Sequence, residues 1–248
     1  MLEVVRLCKA FGSLVVTDNV SLKLEPGERR VILGPNGAGK TTLFNLLVGE
    51  LKPSEGKIHL SGADLTPLSI EARARMGLAR SYQKNNLFNG LTIRENLELA
   101  GARALGLSRH LLRDTHRDPR LRDLVEEVAE QVGLTSRLEE TVEHSSYGNR
   151  RQLEVGLALA MRPKVLLMDE PTSGVGPGMI QAFHELLHSL SRDLTILIVE
   201  HDMDLAFDVA DRITVLNYGK VVFEGTPEET RASELVQEIY LGGWDTDA

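Results

Sequence analysis

The stretch RRVILGPNGAGKTTLFNLLVG, residues 29–49, constrains this chain more than any other. A short apolar run ends at Gly34, a glycine-rich loop follows, and helical spacing starts near Lys40. GPNGAGKTT fits G-x-x-x-x-G-K-[ST] in the strand–loop–helix setting that gives the pattern its meaning. Gly34, Gly37 and Gly39 let the backbone curl so that successive N–H groups face the β- and γ-phosphates of a nucleotide, with Pro35, Asn36 and Ala38 completing the cradle. The helix start adds the positive end of its dipole. Lys40 supplies a point charge, Thr41 offers a hydroxyl to Mg²⁺, and Thr42 carries the motif into the helix.

A loop of this kind needs a sheet behind it. KVLLMDE (164–170) and LTILIVEHD (194–202) are short, nearly continuous apolar runs, as buried parallel strands require. Between them Ile180, Phe183, Leu187 and Leu190 share one helical face. ITVLNYGKVVFEG (213–225) reads as a hairpin turning at Asn217–Lys220. Ahead of and around the loop, LEVVRLCKAF, VSLKLEPGERRVIL and GKIHLSGADL alternate like strands and break at Pro-Gly and Ser-Gly turns. TIRENLELAGARALG and LRDLVEEVAEQVGL carry apolar residues at helical spacing, and RHLLRDTHRDPRLRD between them is the most loop-like part. The expected fold is α/β: a P-loop NTPase with a mostly parallel sheet, an antiparallel β subdomain and an inserted α-helical lobe. Residues 1–90 and 163–248 are assigned to the core and 91–162 to the lobe.

Asp169 and Glu170 leave the end of a strand side by side, so their carboxylates point differently and can take different roles. Asp169 is placed to hold the Mg²⁺ shell, commonly through water, and Glu170 to polarise or orient an attacking water. His201 follows the next strand, where a β-to-α loop faces the nucleotide. His184 and His188 lie four apart on a helix with no carboxylate or cysteine in ligand register beside them, and read as a solvated flank.

Of the 248 residues, 42% are hydrophobic and 26% charged, and the net charge is −8. The acidic balance makes nucleic acid a poor partner. The one cysteine, Cys8, permits no intrachain disulfide and fits a reducing compartment. With no signal-peptide pattern and no run near ~18 apolar residues, membrane work is expected to proceed by docking onto another chain.

SSYGNRRQ, residues 145–152, opens a second helix-like run, and its serine, glycine and paired arginines suggest a second anion site. The motifs taken in order resemble the ATP-binding subunit of an ABC transporter over nearly the whole chain. GPNGAGKTT resembles the Walker A motif, LLMDEP the Walker B motif with its catalytic glutamate, VEHD the switch-histidine loop, and RSYQKNNLF the Q-loop with Gln83 as its glutamine. SSYGN is similar to the LSGGQ signature, keeping Ser146 and Gly148 and departing at Ser145, Tyr147 and Asn149. Phe11 sits where the family stacks an aromatic on adenine, an ordinary core phenylalanine being the alternative.

The resemblance implies that ATP and Mg²⁺ are the cofactors. Lys40, Gln83, Glu170 and His201 would be catalytic, and Thr41, Gln83 and Asp169 would be on the metal side. The signature helix would close over ATP held by a second, identical or paralogous, subunit in a head-to-tail dimer. The implied partners are an integral permease and, through it, a solute-binding protein, at the cytoplasmic face of the membrane. The Q-loop, SYGNRRQLEVG and closing EIYLGG resemble ATPases for import of branched-chain (hydrophobic) amino acids or urea. PLSIEARARMGLA and the same ending are also similar to the lipopolysaccharide-export ATPase, and a non-transport soluble ABC ATPase is a further class. The family's D-loop places Asp or Asn where TSGVGP has Gly176, which cannot reach across a dimer with a side chain. Gly176→Asp is expected to change the rate or cooperativity of ATP turnover in a phosphate-release assay; a variant matching the parent in both removes the missing side chain from the argument.

Overall fold

The structure, a computed structural model, describes residues 1–81, 87–107, 118–173 and 176–241. Strands β1 (Leu2–Phe11), β2 (Leu14–Leu24) and β3 (Arg29–Leu33) lead to helix α1 (Lys40–Val48). Next come β4 (Glu55–Leu60), β5 (Ala63–Asp64), α2 (Ile70–Met76) and β6 (Leu78–Ser81). Helices α3 (Ile93–Ala104), α4 (Pro119–Gln131) and α5 (Tyr147–Ala160) follow. The chain continues through β7 (Val165–Asp169), α6 (Pro177–Ser189), β8 (Thr195–Val199) and α7 (Met203–Val209). It ends in β9 (Arg212–Asn217), β10 (Lys220–Gly225), α8 (Pro227–Ala232) and α9 (Glu234–Leu241).

Two sheets form. One has the order β2-β1-β4-β5 and is antiparallel; the other has the order β10-β9-β3-β8-β7-β6. From β6 to β9 every pairing in the larger sheet is parallel, and β10 closes it antiparallel. This is the expected α/β class. Alternate residues of the central strands feed opposite faces. Val31, Leu33, Leu166, Met168, Ile196 and Ile198 enter one core with the helical lobe, while Ile32, Val165, Leu167, Leu197 and Val199 enter another with α1 and the antiparallel sheet. Both faces are covered, which is why these runs are continuously apolar.

Helices α3, α4 and α5 pack on one another through Ile93, Leu97, Leu121, Leu124, Val128 and Leu153. The lobe's loop-like run needs a correction. Residues 109–117 lie outside the described residues, but 119–123 already form the start of α4: Asp118 accepts from Arg120 N and Pro119 takes the first helical position. That Asp-Pro start overrides the loop-like charge pattern. Strand β6 and helix α2 carry too little periodicity to have been expected.

The β9–β10 hairpin turns at Tyr218 and Gly219, both at positive φ (47° and 76°), as a two-residue primed turn requires. Gly219 N then donates to Ala38 O (3.0 Å) and Gly219 O accepts from Asp18 N (2.8 Å), tying the hairpin to the phosphate loop and to β2.

Arg73 of α2 is buried and its guanidinium serves main-chain carbonyls. It donates to Leu46 O and Leu47 O at the end of α1 (2.6 Å each), to Thr66 O (3.1 Å) and to Leu68 O (3.2 Å). It thereby caps the helix that carries the phosphate loop. Arg73→Met should cost about 3 kcal/mol of stability, since two buried and two partly buried carbonyls lose a charged donor; urea unfolding, with an unchanged midpoint as the contrary result, checks this.

Candidate functional site

Strands β3, β8 and β7 end level: Ile32 is opposite Val199, and Val199 is opposite Asp169. Their following loops therefore leave one edge of the parallel sheet together, where such sheets bind ligands. Residues 34–42, 169–173 and 200–202 are the three loops concerned.

The first loop has the shape that its glycines permit. A Cβ on Gly34 would stand 2.2 Å from Leu216 O, and one on Gly39 (φ 97°) would stand 2.6 Å from Val16 O. No side chain fits at either place. Gly39 leads directly into α1, and Asn36, Gly37 and Thr41 are open to solvent while Ala38 is buried. Lys40 is buried and folded back, its Nζ donating to Gly34 O (2.5 Å) and Pro35 O (3.0 Å). Burial pushes its pKa below the ordinary lysine value, and the nearby Glu170 and Asp169 pull the other way. The cation and both carboxylates thus share one electrostatic neighbourhood.

Asp169 is buried, which raises its carboxyl above the usual range against the opposing pull of Arg80. Arg80 donates to Asp169 Oδ2 (2.9 Å), Asn45 Oδ1 (3.1 Å) and Glu50 Oε1 (3.1 Å). Glu170 is half-buried at φ 44°, a conformation that a residue with a side chain takes only when its surroundings impose it. Its N–H donates to Val199 O (2.9 Å) and its carbonyl accepts from Ser173 N (3.0 Å). His201 is 57% exposed at the same edge, its backbone N–H held by Glu200 Oε2 (2.9 Å).

Ser146 caps α5 by accepting from Asn149 N (3.2 Å), and Gly148 is buried in the first turn. The paired arginines are engaged within the chain, by carbonyls and, at Arg151, also by Glu154. Arg150 donates to Ser145 O (3.2 Å) and Glu143 O (2.8 Å), and Arg151 turns inward. Phe11 is 49% exposed at the tip of the β1–β2 hairpin, with Lys9 Nζ 5.0 Å from its ring centroid, so it is not a core phenylalanine. Gly176 caps α6 with open space around it. Gln83 lies outside the described residues. His184 and His188 both bond Asp208 Oδ2 (2.9 Å each), so His184, 16% exposed, fastens α6 to α7 and is not a solvated flank residue. Arg80 and Glu200 escaped the sequence reading although they lie inside quoted motifs, and Arg151 entered it only as one of the arginine pair.

Thr41 and Asp169 offer hard oxygen donors, and among the described residues no group of three or more His, Cys, Asp or Glu could hold a metal. Hard oxygen donors such as Thr41 and Asp169 suit Mg²⁺, which keeps waters and takes substrate phosphates rather than a protein cage.

A P-loop ATPase carrying a helical lobe is the class that this fold and site define. Residues 17–173 match the ABC transporter family, and the chain belongs to that family as one of its ATP-binding, ATP-hydrolysing subunits. It is 37% identical to the high-affinity branched-chain amino acid transport ATP-binding protein LivG of Escherichia coli (strain K12), over 98% of both chains. It is 33% identical to the lipopolysaccharide export system ATP-binding protein LptB of Haemophilus influenzae, over 95% of both. The crystal structure of the ADP conformation of MJ1267, an ATP-binding cassette of an ABC transporter, superposes with a TM-score of 0.83 at 29% identity, covering 98% of each chain. Among the described residues no helix is long and apolar enough to cross a membrane.

Gly34→Ala should weaken ATP binding by at least about tenfold, because the added carbon displaces the loop from a backbone carbonyl; a fluorescent-nucleotide titration giving the parent affinity would contradict the loop's assigned role.

Proposed function

We propose that this chain is the ATP-hydrolysing subunit of an importer for branched-chain or other hydrophobic amino acids, or urea. The observation that carries the ATPase part is the convergence of Lys40, Asp169 and Glu170 on one sheet edge beside the 34–42 loop. The 37% likeness to LivG over 98% of both chains supports the importer branch, against 33% over 95% for LptB of the lipopolysaccharide-export branch. Tyr147 and the Q-loop sequence favour the same choice.

In this reading, backbone N–H groups of residues 34–39 and Lys40 hold the phosphates, Lys40 exchanging its two loop carbonyls for phosphate oxygen. Phe11 stacks on adenine. Glu170 orients the attacking water, His201 faces the γ-phosphate, and Gln83 is assigned a catalytic role from its motif. Thr41 and Asp169, with Gln83, hold Mg²⁺, which neutralises phosphate charge when bound. Residues 91–162 form the lobe that presents Ser146 and Gly148 to ATP held by a second subunit, identical or paralogous, in a head-to-tail dimer.

An apolar cavity of about 260 Å³ at the seam of core and lobe, lined by Leu78, Leu87, Ala100, Leu157 and Met161, supports a permease contact there. The solute-binding protein is reached through that permease, and the subunit works peripherally at the cytoplasmic face. The acidic net charge of −8 argues against a nucleic-acid partner.

Glu170→Gln tests the reading. Turnover should fall by at least about 100-fold while ATP binding persists, and the variant should elute as a dimer with ATP. A variant that hydrolyses normally and stays monomeric would defeat it.

A further inference from the structure

Glu170, Pro171 and Thr172 follow β7 directly, and two buried charges of opposite sign grip them from different elements. From α5, Arg151 donates through Nε to Pro171 O (3.1 Å) and through Nη2 to Glu170 O (3.3 Å). Its Nη1 pairs with Glu154 Oε2 (2.7 Å) on the same helix, so its charge is balanced locally and its direction is set. From the end of β8, Glu200 is fully buried. One of its oxygens accepts from Thr172 N (3.2 Å) and Thr172 Oγ1 (2.7 Å). The other accepts from His201 N (2.9 Å) and Asp202 N (3.3 Å).

These four donors are neutral. The Glu200 carboxylate therefore acts as a bracket between two loops, joining the residues after Glu170 to the residues around His201. Between the two grips, Glu170 is kept at φ 44°. Arg151 stands five positions beyond Ser146 on α5, within the same short helix. Movement of the helix start thus reaches the Glu170 and Pro171 carbonyls through the Arg151 guanidinium, and Ser173 O through Tyr147 Oη (3.5 Å).

We propose that Arg151 and Glu200 are positioning residues that hold Glu170 in its reactive geometry, and that the 170–172 loop is the junction between the signature helix and the switch histidine. The proposal rests on the function assigned above to Glu170 and to the start of α5. It makes one loop answer to both: α5 pulls on its carbonyls, and Glu200 ties its next residue to His201.

The test uses the purified full chain with Arg151→Met, Arg151→Lys, Glu200→Gln and the Arg151→Met/Glu200→Gln double variant. Lysine keeps the charge but lacks the fork that spans two carbonyls. Glutamine turns an NH₂ toward donors, so one of the two loops loses its acceptor. Turnover should fall about 100-fold in Arg151→Met and Glu200→Gln and about tenfold in Arg151→Lys, the scale of a small misplacement of a reacting group. KM and the dissociation constant for fluorescent ATP should stay within about twofold, and the double variant should be little slower than the slower single one because both act on one loop.

Single variants with parental turnover would overturn the proposal. So would ATP affinity falling in step with turnover, or losses that multiply in the double variant. Where Arg151→Met or Glu200→Gln does not fold, Arg151→Lys and Glu200→Asp decide by the same criteria. Glu170→Gln, assayed in parallel, separates the two levels. Normal hydrolysis by that variant removes the function assigned to Glu170, whereas blocked hydrolysis there with normal turnover in the others removes only the positioning role.

Discussion

Level termination of three parallel strands is the constraint on which everything else depends. Because β3, β8 and β7 stop in register, a phosphate loop, a carboxylate pair and a histidine emerge from one edge although they lie far apart in sequence. That register is held by alternate apolar residues packed on both faces, so a slip of one residue would exchange the two cores and scatter the site. Function here is a by-product of how firmly the sheet's two faces are told apart.

Electrostatics at that edge is unbalanced by design of the burial. The pKa of Lys40 is lowered and that of Asp169 raised by the same loss of water, and Arg80 and Glu170 act on Asp169 in opposite directions. Lys40 meanwhile rests on carbonyls of its own loop. Such a site is primed for an anionic ligand that brings its own oxygens, since these would add acceptors to a buried cation that now rests on loop carbonyls with two carboxylates nearby.

Much of this was legible in the chain. The strand–loop–helix around Gly34–Thr42 and the apolar runs ending at Asp169 and Val199 have signatures that are local, so residue order alone suffices. The helix start at SSYGNRRQ was legible for the same reason. Arg151 and Glu200 were not. Each is an ordinary charged residue beside a motif, and its meaning comes from carbonyls and amides that only tertiary folding brings within reach. The partners of the arginine pair stayed hidden for a related cause: charge near a helix start does not reveal which carbonyls it will meet. Strand β6 and helix α2 stayed hidden because four to seven residues hold too little period to count.

The phosphate loop also leans on chain that comes much later. Gly34 abuts the carbonyl of Leu216, and Ala38 accepts from Gly219, both beyond the span 17–173 that matches the family. A nascent polypeptide that has left the ribosome only as far as its carboxylate pair lacks the wall against which the loop is moulded. Competence to hold triphosphate therefore arrives late in synthesis, with the closing hairpin, and the loop is no module that could be cut out and grafted elsewhere.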